Sequence, residues 1–298
     1  MTTLSTDVSA EGQSPYKGAS GEAIRHHYDL GNEFYYLWLD RSRTYSCALW
    51  EGEDDDLYSA QQRKLAYMAT GARATGAKRV LDIGCGWGSM LRHLVEVQDV
   101  EHVVGLTLSP AQLESMKEWT DERYDVRVQN WLDHEETRYD AIISLGAFEH
   151  FARHGMSREE RIEAYRTFFG RCRDWLAPGG RLALQTNVAG RARAVDRQTV
   201  KEMLFVIERI FPESVMPPIS DIIEASERTF DVVTVRNDPD HYVRTCRFWA
   251  ETLTSRREEA EAVVGAQTVA DYLHYLESSA RQFERRNLGL ARIIFERV

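Results

Sequence analysis

Lysine is scarce in this chain: five of its 37 basic residues, the rest being arginine. Acidic residues number 47, which gives a formal net charge of −10 over 298 residues. A surface of that sign repels phosphate backbones and anionic bilayers, which disfavours nucleic-acid binding and stable membrane adsorption as main roles. Cysteine is equally thin. Cys47, Cys85, Cys172 and Cys246 are scattered with no C-x-x-C pair, a spacing that fits neither a zinc site nor a disulfide framework. No apolar run approaches the roughly 20 residues a membrane span needs. The opening "MTTLSTDVSAEGQSPYKGAS" lacks the apolar core of a signal peptide. A cytoplasmic protein with a disordered leader over residues 1–20 is expected.

What is present is a large core and a regular pattern. Hydrophobic residues make up 43% of the chain. Strand-like runs at Arg79–Ile83, His102–Leu108, Asp125–Gln129, Asp140–Leu145, Arg181–Asn187, Asp231–Val235 and Ala291–Glu296 alternate with helical patterns, notably Tyr58–Thr75 and Arg158–Leu176. That alternation predicts a parallel α/β sheet. "APGG" at 177–180 reads as the turn into the fifth strand. Residues 188–230 interrupt the alternation and are expected to cover the strand ends as a helical lid. The charged stretch "RREEAEAVVGAQTVADYLHYLESSARQFERR" reads as solvated outer helices. One domain is expected over 21–298, with a cap at 21–60.

The most informative run is "RVLDIGCGWGSML", residues 79–91. A strand ends near Asp82, and Gly84, Gly86 and Gly88 follow at alternate positions before a helix. Glycine lets the backbone turn sharply and lets a ligand approach its amides. A dinucleotide site would want G-x-G-x-x-G over a helix N-terminus. The spacing here, with an acid on the preceding strand, favours a ligand carrying an amino group and a ribose. With "GLTLSPAQ" and "APGG" in their places, the pattern resembles a class I S-adenosylmethionine-dependent methyltransferase. That resemblance implies a Rossmann-like, mostly parallel seven-stranded sheet ending in an antiparallel hairpin of the last two strands.

A narrower resemblance rests on "HHYDLGNEFYYLWLDRSRTYSCALWE", "GCGWG", "GLTLSPAQ", "GAFEHF" and "DHYVRTCRFW", in that order. Together they are similar to the cyclopropane-fatty-acid synthase family, and within it to the short mycolic-acid cyclopropane synthases, over about residues 22–298. The family match implies that Tyr28, Tyr45 and Ser46 close over the cofactor. It implies that Asp82, Gly84, Cys85 and Gly86 line its methionine and ribose side, that Thr107, Leu108 and Gln112 sit at ribose and adenine, and that Trp131 lies beside adenine. Glu149, Cys47 and Tyr242 match positions around a bound bicarbonate. One position departs: Gln185, in "LALQT", stands where the family usually has a histidine. A glutamine amide can bond an anion but cannot take up its proton near neutral pH, which puts bicarbonate binding in doubt.

The chemistry follows from the substrate side. An alkene attacking a sulfonium methyl becomes a carbocation, so the site needs negative charge, aromatic faces, dryness and a base. Glu149 and His150, just past the fourth strand, stand where an open α/β sheet keeps its ligand crevice; His154 reads as surface. Arg191, Arg193 and Arg197 read either as a solvated face or as a clamp for an anionic substrate head. With Gln185, they favour a C-methyltransferase acting on a smaller unsaturated substrate, a prenyl diphosphate or a carrier-linked chain, in specialised metabolism. Magnesium is expected only with a diphosphate. A cyclopropane synthase on an unsaturated acyl chain is the alternative, a small-molecule N-methyltransferase the second, and a non-catalytic cofactor-binding sensor the reading from a different class.

Overall fold

The computed structural model describes residues 30–135, 138–191 and 196–298. A short helix α1 (Asn32–Tyr36) and a long one, α2 (Leu57–Gly71), precede the sheet. Asp56 caps α2 by accepting a hydrogen bond from the Ser59 amide. The sheet strands are β1 (Arg79–Ile83), β2 (His102–Thr107), β3 (Tyr124–Val128), β4 (Tyr139–Leu145), β5 (Leu176–Ala189), β6 (Phe230–Asn237) and β7 (Leu288–Arg297). Their spatial order is β3-β2-β1-β4-β5-β7-β6. Among the described strands, β7 runs opposite to the rest of the sheet and pairs antiparallel with β5 and β6.

Between the strands lie α3 (Ser89–Glu96), α4 (Pro110–Glu114), α5 (Arg158–Trp175), α6 (Arg197–Arg209), α7 (Ile219–Ser226), α8 (Pro239–Ser255), α9 (Arg257–Val264) and α10 (Ala266–Glu284). A capping box closes the start of α5: the Ser157 hydroxyl takes the Glu160 amide, and the Glu160 carboxylate takes the Ser157 amide. Chain order reverses between β1 and β4, so a crevice opens beyond their carboxyl ends.

Three differences from the sequence reading stand out. "APGG" is no free turn. Tyr139 pairs with Leu176 and Ala141 with Arg181, so these residues bulge out of a continuous β5. The last two strands pair antiparallel as expected, but three helices, α8 to α10, separate them in sequence. The largest correction concerns α10, which is not an outer helix. Val269, Tyr272, Leu276, Ala280 and Phe283 are buried on it, at spacings of three and four residues. They join α1 and α8 in an aromatic core at the sheet's carboxyl edge. The exposed Glu277 and Glu284, with the half-buried Arg281 that bonds the buried Glu202 of α6, mask that stripe in the sequence. Among the described residues, no helix is long and apolar enough to cross a membrane.

Candidate active site

Two cavities meet at the crevice. The first, about 1080 Å³, opens over the glycine loop. That loop is tied down by the amides of Gly84 and Cys85, which both donate to the Leu106 carbonyl at 2.9 Å. Gly84 has φ +81°, and a Cβ there would stand 2.6 Å from that of Ala147, so the β1 and β4 loops touch only because position 84 is bare. All the candidate cofactor residues among those described line this cavity: Tyr45, Ser46, Asp82, Gly84, Cys85, Gly86, Thr107, Leu108, Gln112 and Trp131. Tyr28 lies outside the described residues. Thr107 donates from Oγ1 to Gln112 Oε1 at 2.6 Å, which turns the Gln112 amide nitrogen outward as a donor. Asp82 is buried at the cavity floor, and burial pushes its carboxyl up to about 7.

The second cavity, about 770 Å³, brings together Cys47, Glu149, His150, Gln185 and Tyr242. Tyr45, Ser46, Gly146 and His150 line both spaces, so the wall between them is only a few side chains thick. Glu149 sits on a 3-10 turn, Phe148–His150, just past β4. Its Oε1 accepts from the Asn187 amide at 2.6 Å, while its Oε2 is buried without a hydrogen-bond partner among the described residues. Burial pushes this carboxyl up to about 7, against the lowering effect of the Asn187 amide. His150 is held down to about 4 by burial, so the ring is neutral near pH 7, and its Nδ1 lies 2.9 Å from Ser214 Oγ. Burial raises the Cys47 thiol to about 11 and the Tyr242 phenol well above its ordinary range. Neither supplies an anion near neutrality.

The remaining wall comes from the segment read as a lid and from a helix read as outer packing. Val206, Phe211, Ser214 and Met216 come from the segment between β5 and β6, and Tyr275, Ser279 and Phe283 from α10. The Val215 amide donates to the Glu149 carbonyl at 3.0 Å and so fastens that segment to the carboxylate's own backbone. Arg191 and Arg197 line neither cavity. Both are exposed, Arg191 on a separate outer cleft with Arg286 and Asp240 and Arg197 at the first turn of α6. No clamp for an anionic head is assembled from them at the second cavity. Arg193 lies outside the described residues.

Two buried cations escaped the sequence reading. Arg292 is fully buried on β7, directly opposite Gln185 on β5. Its Nε donates to Gln185 Oε1 at 2.8 Å, its Nη1 to Asp238 at 2.6 Å and its Nη2 to the Ala48 carbonyl at 2.9 Å. Guanidinium only donates, so Gln185 has its oxygen engaged and only its amide nitrogen left to offer the cavity. The signal was a lone arginine inside the apolar run "LARIIF". Lys64, also fully buried, donates to Ser46 Oγ at 2.8 Å. It falls seven residues after Leu57, on the buried stripe of α2. Arg292→Met should destabilise the fold by about 3–5 kcal/mol, because Asp238 and the facing carbonyls lose their buried partner. Urea unfolding measures this, and a loss below about 1 kcal/mol would mean the network contributes no more than a surface pair.

A family model described as "Mycolic acid cyclopropane synthetase" matches residues 17–293. Cyclopropane mycolic acid synthase 2 of Mycobacterium leprae (strain TN) is 38% identical over 281 residues, covering 89% of this chain and 90% of that protein. Hydroxymycolate synthase MmaA4 of Mycobacterium tuberculosis (strain ATCC 25618 / H37Rv) is 31% identical over 287 residues, covering 92% of each. Among solved structures, mycolic acid cyclopropane synthase CmaA1 complexed with SAH and CTAB superposes with a TM-score of 0.84 at 29% identity, over 94% of this chain and 99% of that one. These likenesses overturn the first choice drawn from sequence, a C-methyltransferase of a prenyl-type substrate, and favour the alternative, a cyclopropane synthase on an unsaturated acyl chain. The chain is an S-adenosylmethionine-dependent enzyme of the mycolic acid cyclopropane synthetase family.

Proposed function

We propose that this enzyme adds a methylene bridge across a carbon–carbon double bond of a lipid acyl chain. The observation that carries the reading is the Glu149 Oε2, buried and without a hydrogen-bond partner among the described residues, in a cavity separated from the glycine-loop cavity by three side chains and a glycine. The first cavity suits the cofactor. It has an acid for an amino group at Asp82, a bare loop at Gly84 to Gly86, a donor amide at Gln112 and an indole at Trp131. When bound, S-adenosylmethionine supplies an electrophilic methyl group.

The chain's own residues supply the rest. Apolar side chains of Val206, Phe211, Met216, Leu288 and Leu290 hold the acyl chain and keep water out. The double bond lies against the shared wall of Tyr45, Ser46, Gly146 and His150. As one alkene carbon takes the methyl, the other becomes cationic. The ionised Glu149 and the faces of Tyr242, Tyr275 and Phe283 stabilise that charge, each ring by roughly 0.5–2 kcal/mol. Glu149 Oε2 then accepts a proton from the transferred methyl, and the released C–H electron pair closes the ring. Gln185, with its oxygen held by Arg292, presents N–H donors and cannot carry this proton. In this reading the carboxylate itself is the base. Product formed with a methyl-deuterated donor tests the reading, since ring closure removes one methyl deuterium.

A further inference from the structure

Two buried charges of opposite sign flank the first cavity, and neither has an ion-pair partner among the described residues. Lys64 is fully buried, and among the described residues its Nζ donates one hydrogen bond, to Ser46 Oγ at 2.8 Å. Asp82 is 2% exposed and lines the cavity. The two interact electrostatically without touching as a salt bridge. An isolated buried charge is costly, and a methionine would fill the lysine's volume without that cost. A structural role explains neither residue well.

The hydrogen-bond polarity says more. An ammonium can only donate. Ser46 Oγ therefore accepts from Lys64, and its own hydrogen points elsewhere. Ser46 lines the cavity, so that hydrogen is available to an acceptor there, with a positive charge directly behind it. The backbone of the same residue is gripped as well, by Gln61 Nε2 on the Ser46 carbonyl at 2.8 Å. Helix α2 thus fixes both the position and the polarity of one hydroxyl.

We propose that Lys64, acting through Ser46, is the positioning residue for the carboxylate of the cofactor's amino-acid end, while Asp82 receives its ammonium. The inference rests on the first cavity being the cofactor site. A zwitterion there neutralises both charges at once: its carboxylate favours charged Lys64, and its ammonium favours charged Asp82. Burial, the largest cause for each, pushes Lys64 down and Asp82 up, each to about 7; the Arg292 charge lowers Lys64 further, and the Lys64 charge partly offsets the rise of Asp82. Other charged or titratable groups near the lysine are Arg292, Cys47, Asp40 and His93, none of which lines the cavity.

Calorimetry with two probes tests this. S-adenosylhomocysteine carries the amino-acid end, and 5′-methylthioadenosine lacks it. Lys64→Met and Ser46→Ala should each weaken S-adenosylhomocysteine roughly 10–100-fold and methylthioadenosine by less than about threefold. The thermal midpoint of ligand-free Lys64→Met should equal or exceed the wild type's. Equal losses for both probes, or a lowered midpoint, would make Lys64 merely structural and overturn the proposal. Asp82→Asn separates the two levels. If it leaves S-adenosylhomocysteine binding unchanged, the cavity assignment itself fails. If it weakens that probe selectively while Lys64→Met does not, only the role of Lys64 fails.

Discussion

Glu149→Gln lowers turnover by about 10²–10⁴-fold, the range for loss of a placed general base, and leaves S-adenosylhomocysteine affinity within a few-fold of wild type. The substitution keeps the Oε1 bond from the Asn187 amide and the packing of the turn. It removes the negative charge at Oε2 and the ability to take a proton. Because Glu149 lines the second cavity and not the first, binding of the cofactor product is spared. The pH profile reports the same group. Burial places its carboxyl at about 7, so kcat with saturating cofactor rises as pH rises through that value and is flat in the variant. Within the second cavity the other titratable groups lie away from that value: His150 is near 4, Cys47 near 11, and Tyr242 well above its ordinary value. Asp82 and Lys64, each also at about 7, flank the first cavity, and saturating cofactor holds both charged.

The sign of the linked stability effect is opposite. A carboxyl whose folded pKa lies above its unfolded value of 4.5 binds its proton more tightly in the native state. Its contribution to stability is therefore full below about pH 4.5 and declines as pH rises to about 7. Glu149→Gln should be at least as stable as wild type above pH 7. A variant that is both inactive and less stable there would point to collapse of the site, not to loss of a base.

Gly86→Val abolishes S-adenosylhomocysteine binding, by more than about 100-fold. Residue 86 has φ +56°, and a Cβ built there meets no protein atom within 4 Å, because the position opens onto the cavity it lines. A valine both fills that space and resists a left-handed backbone, which its branched carbon tolerates poorly. Gly86→Ala separates the effects, since it carries the backbone strain of about 1 kcal/mol with little of the bulk. Calorimetry should then rank wild type above alanine and alanine far above valine. If valine binds within a few-fold of wild type, the cofactor lies elsewhere.

How far the sequence could be read depended on whether a residue's environment is local. The glycine loop was legible because its spacing and its preceding acid sit within ten residues, and β1 falls at Arg79–Ile83 as read. Cys47, Glu149, Gln185 and Tyr242 were legible through resemblance, and they converge on one cavity from four distant segments. Lys64 and Arg292 were missed because a charged residue reads as surface until its neighbours are known. Their only local signs were a lysine on a helix's buried stripe and an arginine in an apolar strand. The misreading of α10 had the converse cause, a charged face hiding an apolar one. The substrate was misjudged for a similar reason. The arginines after residue 190 were weighed as a head clamp, yet Arg191 and Arg197 are exposed and away from both cavities.

The most direct measurement is isotopic. The enzyme is incubated with a cis-unsaturated acyl thioester and S-adenosylmethionine whose transferred methyl is fully deuterated, and the product's deuterium content and connectivity are determined. If Glu149 takes the proton from the transferred methyl, the new carbon keeps two of its three deuterium atoms and appears as a ring methylene. If all three are retained, as a methyl branch, the proton left from the substrate or a nucleophile captured the cation, and the ring-closing role assigned to Glu149 is wrong.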